Sequence, residues 1–416
     1  MLQQAKHAQI QFYLFGTLVF ALPVYYPFSS LILILLTFNF LASGNWAEKW
    51  ARLVASKLSW VFLFCYFVLM LGLAITSNKS VGYFDMETKL PLLVAPLVIL
   101  TTRFTVIQIR TLGKLFIAGS LVSMLLFLIL SVYNFLLSGD YNTFFYAKLS
   151  HWIHPGYYSI YLNFVLAILV RYLTLNWLEI STQKKLIIGA LIVFVAVFVF
   201  MLLAKVGVLI LFGIMFWGLA YLTIKHKRWK VSVVFLILIF GLNTMILLVN
   251  DLPKRRLEAF YTELIQSDNS SIANSSNRSV LWQASLGVIE KNWLTGVGAG
   301  DGIDELVKEY DRRGMEKAAR KRLNSHNQLI QSLLDSGIFG GIATLLLFLI
   351  PAWQSVKIKN TLNLIFLFSF GTFCIIESAF ETQAGIVFFT CISLLFYEHP
   401  IKIKDALKEN KDNFTR

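Results

Sequence analysis

Uninterrupted apolar runs of near-membrane length limit what this chain can fold into more than any other feature. Residues 186–204, LIIGALIVFVAVFVFMLLA, form one such run, and residues 231–249 approach another, with Ser232, Asn243 and Thr244 as their polar residues. A helix rises 1.5 Å per residue, so about 20 apolar residues cross the ~30 Å hydrocarbon layer of a bilayer. Barrel strands alternate and run about 10 residues, so these runs call for helices. The 416 residues are 57% hydrophobic and 14% charged, whereas soluble domains carry roughly a quarter charged residues. The expected fold is an all-α integral membrane protein.

Length and hydropathy give about 12 transmembrane helices, near 10–27, 28–43, 59–76, 90–102, 115–136, 156–174, 186–203, 208–224, 231–249, 337–354, 361–379 and 385–397. The amino end, MLQQAKHAQ before an apolar run, lacks a small-residue cleavage site and reads as an uncleaved first span. The piece 44–58, GNWAEKWARLVASKL, has the tryptophans and bases of an interfacial helix. One large hydrophilic block separates spans 9 and 10. The expected organisation is transmembrane helices 1–9 over 1–250, a helical periplasmic loop with an active-site helix over 251–336, transmembrane helices 10–12 over 337–400, and a cytoplasmic tail over 401–416.

Charge sets the orientation. The net charge is +14, yet the block 251–325 holds 12 Lys and Arg against 11 Asp and Glu. The excess gathers in alternate links, 44–58, 103–114, 184–185, 225–230, 357–359 and the tail. The positive-inside rule then places both termini in the cytoplasm and the large block outside. This distribution explains the basic balance without nucleic acid. Cys65, Cys374 and Cys391 all sit in apolar spans, so neither a disulfide framework nor a cysteine metal site is expected. Ionisable groups fall at span ends (Lys205, Arg171, Glu377) and not at mid-membrane, where an ion-coupled carrier would need them.

Polar chemistry therefore gathers at the outer face. The run 324–341, NSHNQLIQSLLDSGIFGG, is the focus. Ser325 and Gln328 have capping-box spacing, which predicts a helix with His326 in its first turn. Imidazole is the ordinary biological base near neutrality. Upstream, Arg278 opens a helix with Val280, Leu281, Ala284, Leu286, Val288 and Ile289 at helical spacing. GVGAGDG (296–302) follows a helix and lacks the strand-turn-helix context of a dinucleotide loop, so it reads as a turn. QSDNSSIANSSN (266–277) reads as a flexible loop, and 303–322 as one or two charged surface helices. Lys205 lies in a hinge, Ala204–Gly207, at the outer end of two spans. His151 and His154 also face outside, without metal-ligand spacing.

These residues resemble the O-antigen ligase and O-antigen polymerase superfamily of bacterial envelope proteins. The ligase signature H-[NSQ]-x9-G-x-x-[GTY] is matched by His326, Asn327, nine residues, Gly337, Ile338, Phe339 and Gly340. Arg278, the turn GVGAGD and the position of the outer block are similar too. HPGYYS (154–159) and ESAFETQAG (377–385) resemble outer-face segments less specifically. Family members often carry Ser-Arg-Gly where this chain has Ala204-Lys205-Val206-Gly207, a departure that keeps charge and loses the guanidinium fork.

The resemblance implies a GT-C-like membrane glycosyltransferase that takes glycan from undecaprenyl pyrophosphate held among membrane lipid. The acceptor would be a lipid A-core hydroxyl or another glycan, and the reaction inverting, at the periplasmic face of the inner membrane. His326 would be the general base; Arg278 and Lys205 would hold the pyrophosphate. Asn327, His154, Glu377 and Glu381 would contact sugar or acceptor. Gly337 and Gly340 would be structural. No cofactor, metal or nucleic acid is implied, and the oligomeric state is open. A polymerase of the same superfamily is the alternative, then a protein O-oligosaccharyltransferase. A lipid-glycan flippase is the reading from another class, and it requires polar groups along a mid-membrane route.

Overall fold

A computed structural model describes residues 2–249 and 278–397, with Leu252, Lys254, Arg255 and Glu258 between them. The expected loop 266–277 falls outside the described residues, as does the tail. Among the described residues the secondary structure is helical and no strand occurs. Among the described residues seven helices are long and apolar enough to cross a membrane, or eight if Phe28–Ala42 and Trp46–Ala55, bent by 119°, are one span. The protein is thus a helical, multi-pass membrane protein. The segment 231–249 lies in helix Trp229–Val249, while Thr361–Ile376 and Gln383–Tyr397 are shorter apolar helices. The segment 90–102 becomes only Pro91–Ile99, because Pro96 withholds an amide from its last turn.

The chain forms two compact units. The first comprises residues 1–18, 27–111 and 268–416; the second comprises 19–26 and 112–267. In the second, helices Pro155–Leu175 and Lys205–His226 run parallel. Gly207 lies against Ser159 and Gly218 against Val170, and a Cβ at either glycine would clash. Asn163 donates to the Gly207 carbonyl at 2.9 Å. Such small-residue contacts are how membrane helices approach closely when no hydrophobic effect drives them together.

The first unit is organised on an antiparallel pair, Lys57–Ile75 against Gln328–Lys357. A Cβ at Gly72 would meet Ser336 Oγ at 3.0 Å. Cys65 Sγ donates to the Ala343 carbonyl at 3.3 Å, and Lys57 Nζ stands 5.2 Å from the Trp353 ring. Contact therefore runs the whole length of the 19-residue helix. Phe380 and Phe389, 5.0 Å apart, and Phe370, 5.0 Å from Phe389, form an aromatic core beside this pair.

Gln328–Lys357 is not one straight rod. Ser336 and Gly337 leave helical geometry, Gly337 with φ +59°. In a straight helix Ser332 and Thr344 would stand about 18 Å apart; their hydroxyls are 2.7 Å apart. The short first arm folds back along the start of the span. A break of this kind frees backbone groups, which must be paired away from water. The turn Trp293–Gly298 pairs them. Ile338 N donates to Trp293 O at 2.9 Å, Val297 N to Leu334 O at 2.8 Å and Gly298 N to Asp335 O at 3.0 Å. A Cβ on Gly337 would sit 2.3 Å from Leu294 O. Gly296 and Gly300 of GVGAGDG in turn stand against the backbone of Ser336 and Asn78.

Beyond the turn, Gly302–Arg312 and Glu316–Arg320 pack on Arg278–Lys291. Leu281, Ala284, Val288, Leu306, Tyr310 and Met315 form their shared core. Leu286 is exposed, since it lies well round the helix from Leu281 and Ala284. Glu309 is buried between Arg312 and Arg313, which hold its carboxyl down at about 2.

A buried ionic group ties the end of the first arm to the rest of the unit. Lys89 Nζ lies 2.8 Å from Asp85 and 2.9 Å from Glu381. Asp335, also buried, receives Gln331 Nε2 at 3.1 Å. Three carboxylates surround one ammonium. Burial alone would lower the pKa of Lys89, but Asp85, Glu381 and Asp335 together raise it above the usual lysine value. One ammonium cannot offset three carboxylates. Burial, with Glu381 nearby, pushes Asp85 up to about 7 despite the Lys89 charge.

Two outcomes are expected. Gly337→Ala should lower Tm sharply in detergent-solubilised protein, whereas Gly213→Ala, with open space at its Cβ, should be neutral or stabilising by up to about 1 kcal/mol; equal Tm values would contradict the role of the break. Asp85 binds its proton more tightly when folded, so its contribution to stability is present below about pH 4 and is lost as pH rises through about 7. Asp85→Asn should flatten the fall in Tm between pH 5 and 8, and an unchanged slope would show that Asp85 does not titrate there.

Candidate functional site

The C-terminal end of helix Thr361–Ile376 gathers the site. A helix leaves its last carbonyls without intrahelical partners. Here Ile375 O accepts from Asn327 Nδ2 at 3.0 Å, and Ile376 O accepts from Arg278 Nε at 3.0 Å. A guanidinium also suits the partial negative charge of a helix C-terminus. The next residue, Glu377, is extended (φ −145°, ψ 142°). Its two carboxylate oxygens stand 3.2 and 3.3 Å from His326 Nδ1. One helix end thus brings together His326, Asn327, Arg278 and Glu377, all in the first unit.

The local fold departs from the capping-box expectation. The helix begins at Gln328 and its cap is Asn327, whose Oδ1 accepts from Ile330 N at 3.1 Å. His326 precedes the cap, outside the first turn. Its φ of +47° turns the chain so that Asn327 is extended and able to cap. A left-handed conformation disfavours an L-residue by about 1–2 kcal/mol. The turn is held by His326 N donating to Asn324 Oδ1 at 3.0 Å and by the buried Ser325 Oγ donating to Asn327 O at 2.9 Å.

An ionised carboxylate only accepts hydrogen bonds, so facing Glu377 places the imidazole proton on Nδ1 and leaves the Nε2 lone pair for another partner. The carboxylate also fixes the ring orientation, as second partners of functional histidines do. His326 retains 28% and Glu377 18% of their side-chain exposure, so a ligand has access to the pair. The sequence leaves Glu377 open between a sugar contact and pairing with a basic residue, because nothing local shows that it meets a residue 51 positions away.

Glu381 is engaged elsewhere. It pairs with Lys89, and Gln328 bridges to it, with Nε2 3.4 Å from Glu381 and Oε1 accepting from Phe380 N at 2.7 Å. The 3-10 turn Ala379–Glu381 is thereby fixed between the His326 partner and the ionic cluster. The sequence does not single out Lys89, and it marks Gln328 only as a capping-box partner of Ser325. The i,i+4 spacing of Asp85 and Lys89 was the one available signal. Gly337 and Gly340 stand at the helix break, where a Cβ on Gly340 would meet Ser332 O at 2.2 Å.

Lys205 and His154 belong to the second unit, at the same end of its parallel helix pair. His154 caps Pro155–Leu175, its Nδ1 accepting from Gly156 N at 3.2 Å. Lys205 is exposed and opens helix Lys205–His226. The hinge falls slightly earlier than the sequence suggested, over 202–204, with Leu203 at φ +50°. Among the described residues no three His, Cys, Asp or Glu side chains are grouped to hold a metal ion.

Comparison with known proteins gives two findings. An uncharacterized protein of Haemophilus influenzae is 31% identical over 120 residues, covering 27% of this chain and 30% of that protein. Residues 190–345 match the family model described as O-antigen ligase, a segment that contains Lys205, Arg278, His326, Asn327, Gly337 and Gly340. This matched segment, carried on a helical membrane fold, supports the O-antigen ligase and polymerase superfamily.

Proposed function

We propose that the protein is an inverting glycosyltransferase of the ligase type. It would transfer glycan from undecaprenyl pyrophosphate to a hydroxyl of lipid A-core. The observation that carries this reading is the His326–Glu377 pair, at one helix end with Arg278 and within reach of solvent. The family match supports the general substrate class, a lipid-linked glycan.

In this reading the acceptor hydroxyl oxygen attacks the anomeric carbon while His326 Nε2 takes its proton. The bond from that carbon to the pyrophosphate oxygen breaks, and undecaprenyl pyrophosphate leaves with the electron pair. Attack opposite the leaving group inverts the centre. Glu377 stabilises the imidazolium that forms, a task carboxylates perform beside catalytic histidines. Arg278 and Lys205 neutralise charge growing on the pyrophosphate, where fixed cations act without reorganisation. Asn327 holds the His326 turn. His154 and Glu381 serve the acceptor side, Glu381 through the turn it anchors. The basic links support a topology with both termini in the cytoplasm and this site at the periplasmic face of the inner membrane.

His326→Ala should abolish glycan transfer while the protein still inserts, and normal transfer would sink the assignment. Glu377→Gln should keep the ring in place and lower turnover by about 10² to 10⁴-fold; a change confined to KM would contradict its role in protonation. Lys205→Arg should retain more activity than Lys205→Ala, and equal activities would remove Lys205 from pyrophosphate binding. Deleting the protein should leave undecaprenyl-linked polymer and no polysaccharide on lipid A-core. Single repeat units on the core would instead assign a polymerase.

A further inference from the structure

A second cavity in the first unit lies far from His326. Its volume is about 260 Å³, and its polar lining includes Asn39, Lys49, Arg52 and Arg103. Lys57–Ile75 separates it from the catalytic end. Thr76, at one end of that helix, accepts from Gly300 N at 3.0 Å beside the helix break. The cavity is built on the link before Lys57, at the other end. Nineteen residues put the two ends about 28 Å apart, close to the thickness of a hydrocarbon layer. The cavity therefore belongs to the opposite membrane face.

Its chemistry is that of an anion site. Three basic side chains meet one carboxylate, Glu48. Arg52 and Arg103 both bond to Glu48, so one negative charge is shared between two guanidiniums. Arg52 is further fixed by Thr101 O at 2.7 Å. Lys49 Nζ uses two of its three hydrogens on Phe40 O and Ser43 Oγ. Arg103 is 79% exposed and extends over the mouth. Guanidinium groups suit phosphate because their forked donors match its oxygens.

The walls identify the source of the phosphate. Helix Trp46–Ala55 turns Lys49 and Arg52 toward the cavity and leaves Trp46, Trp50 and Val54, one stripe at i, i+4 and i+8, exposed. It bends 119° from the apolar helix before it. Tryptophans on such a helix settle at headgroup depth. A cavity of about 260 Å³ has room for a phosphate headgroup.

We propose that Lys49, Arg52 and Arg103 form a binding site for the phosphate headgroup of an anionic membrane lipid, on the face opposite the glycosyl-transfer site. The test is native mass spectrometry of the full chain released from nanodiscs of phosphatidylglycerol or phosphatidylcholine, for the wild type and for Lys49→Gln and Arg103→Ser. Arg103→Ser removes an exposed side chain and so preserves the fold. Retained phosphatidylglycerol is expected, weakened about fivefold by each substitution, since a basic side chain near a membrane surface contributes about 1 kcal/mol. Equal retention of phosphatidylcholine, or no loss in either variant, would overturn the site. Inorganic phosphate binding in detergent with no phosphatidylglycerol retained would overturn the lipid source.

Discussion

Backbone pairing at the Ser336–Gly337 break is the interaction on which the first unit depends. At the edge of an apolar layer, an interrupted helix exposes amides and carbonyls that water cannot reach. The chain answers with a second piece of irregular backbone, the glycine-rich turn 293–298, laid against the first. Each needs the other, because Gly337 and Leu294 approach too closely for any side chain between them. The same turn continues to Asp301, which accepts from Ser77 N and Asn78 N. One contact region thus joins the extramembrane helices, the broken span and the head of Lys57–Ile75.

From that junction the site follows by short steps. The first arm, folded back, sets Asn327 against the last turn of Thr361–Ile376. Arg278 reaches the neighbouring carbonyl of the same turn. Glu377, the first residue past that helix, then meets His326. No single residue holds the arrangement. The ends of two helices, both with backbone groups to satisfy, are closed by side chains that also belong to the site. Beneath them the ion cluster of Lys89 fixes the turn carrying Glu381, and Phe380 locks the same turn into an aromatic core.

Much of this was legible in the residues. Apolar runs fixed the helical membrane class, and the spacing from His326 to Gly340 located the signature. Charge counting singled out the outer block. What was not legible depended on long-range pairing. His326 with Glu377, and Lys89 with Glu381, join residues that no local pattern relates. The cap moved from Ser325 to Asn327 because both are competent caps and tertiary hydrogen bonds chose between them. Leu286 counts among the apolar residues at helical spacing, yet it lies on the other side of its helix and is exposed. Span lengths were also hidden: the apolar segment 90–102 forms only a nine-residue helix with Pro96 inside it, and 28–43 ends in a bend.

The antiparallel pair of Lys57–Ile75 and the long span has contacts along its whole length, from Gly72 against Ser336 to Lys57 against Trp353. Sliding one helix along the other would break all of them together, so the pair behaves as a strut of fixed length. Its two ends carry the glycine-bonded junction and the basic cavity. A rigid strut turns bilayer thickness into a positional variable: as the lipid layer thickens or thins, His326 shifts in height relative to the headgroup plane while its own geometry stays constant. Under the proposed function, the depth at which a lipid-borne substrate would meet the histidine is then set jointly by the protein and by the membrane it inhabits.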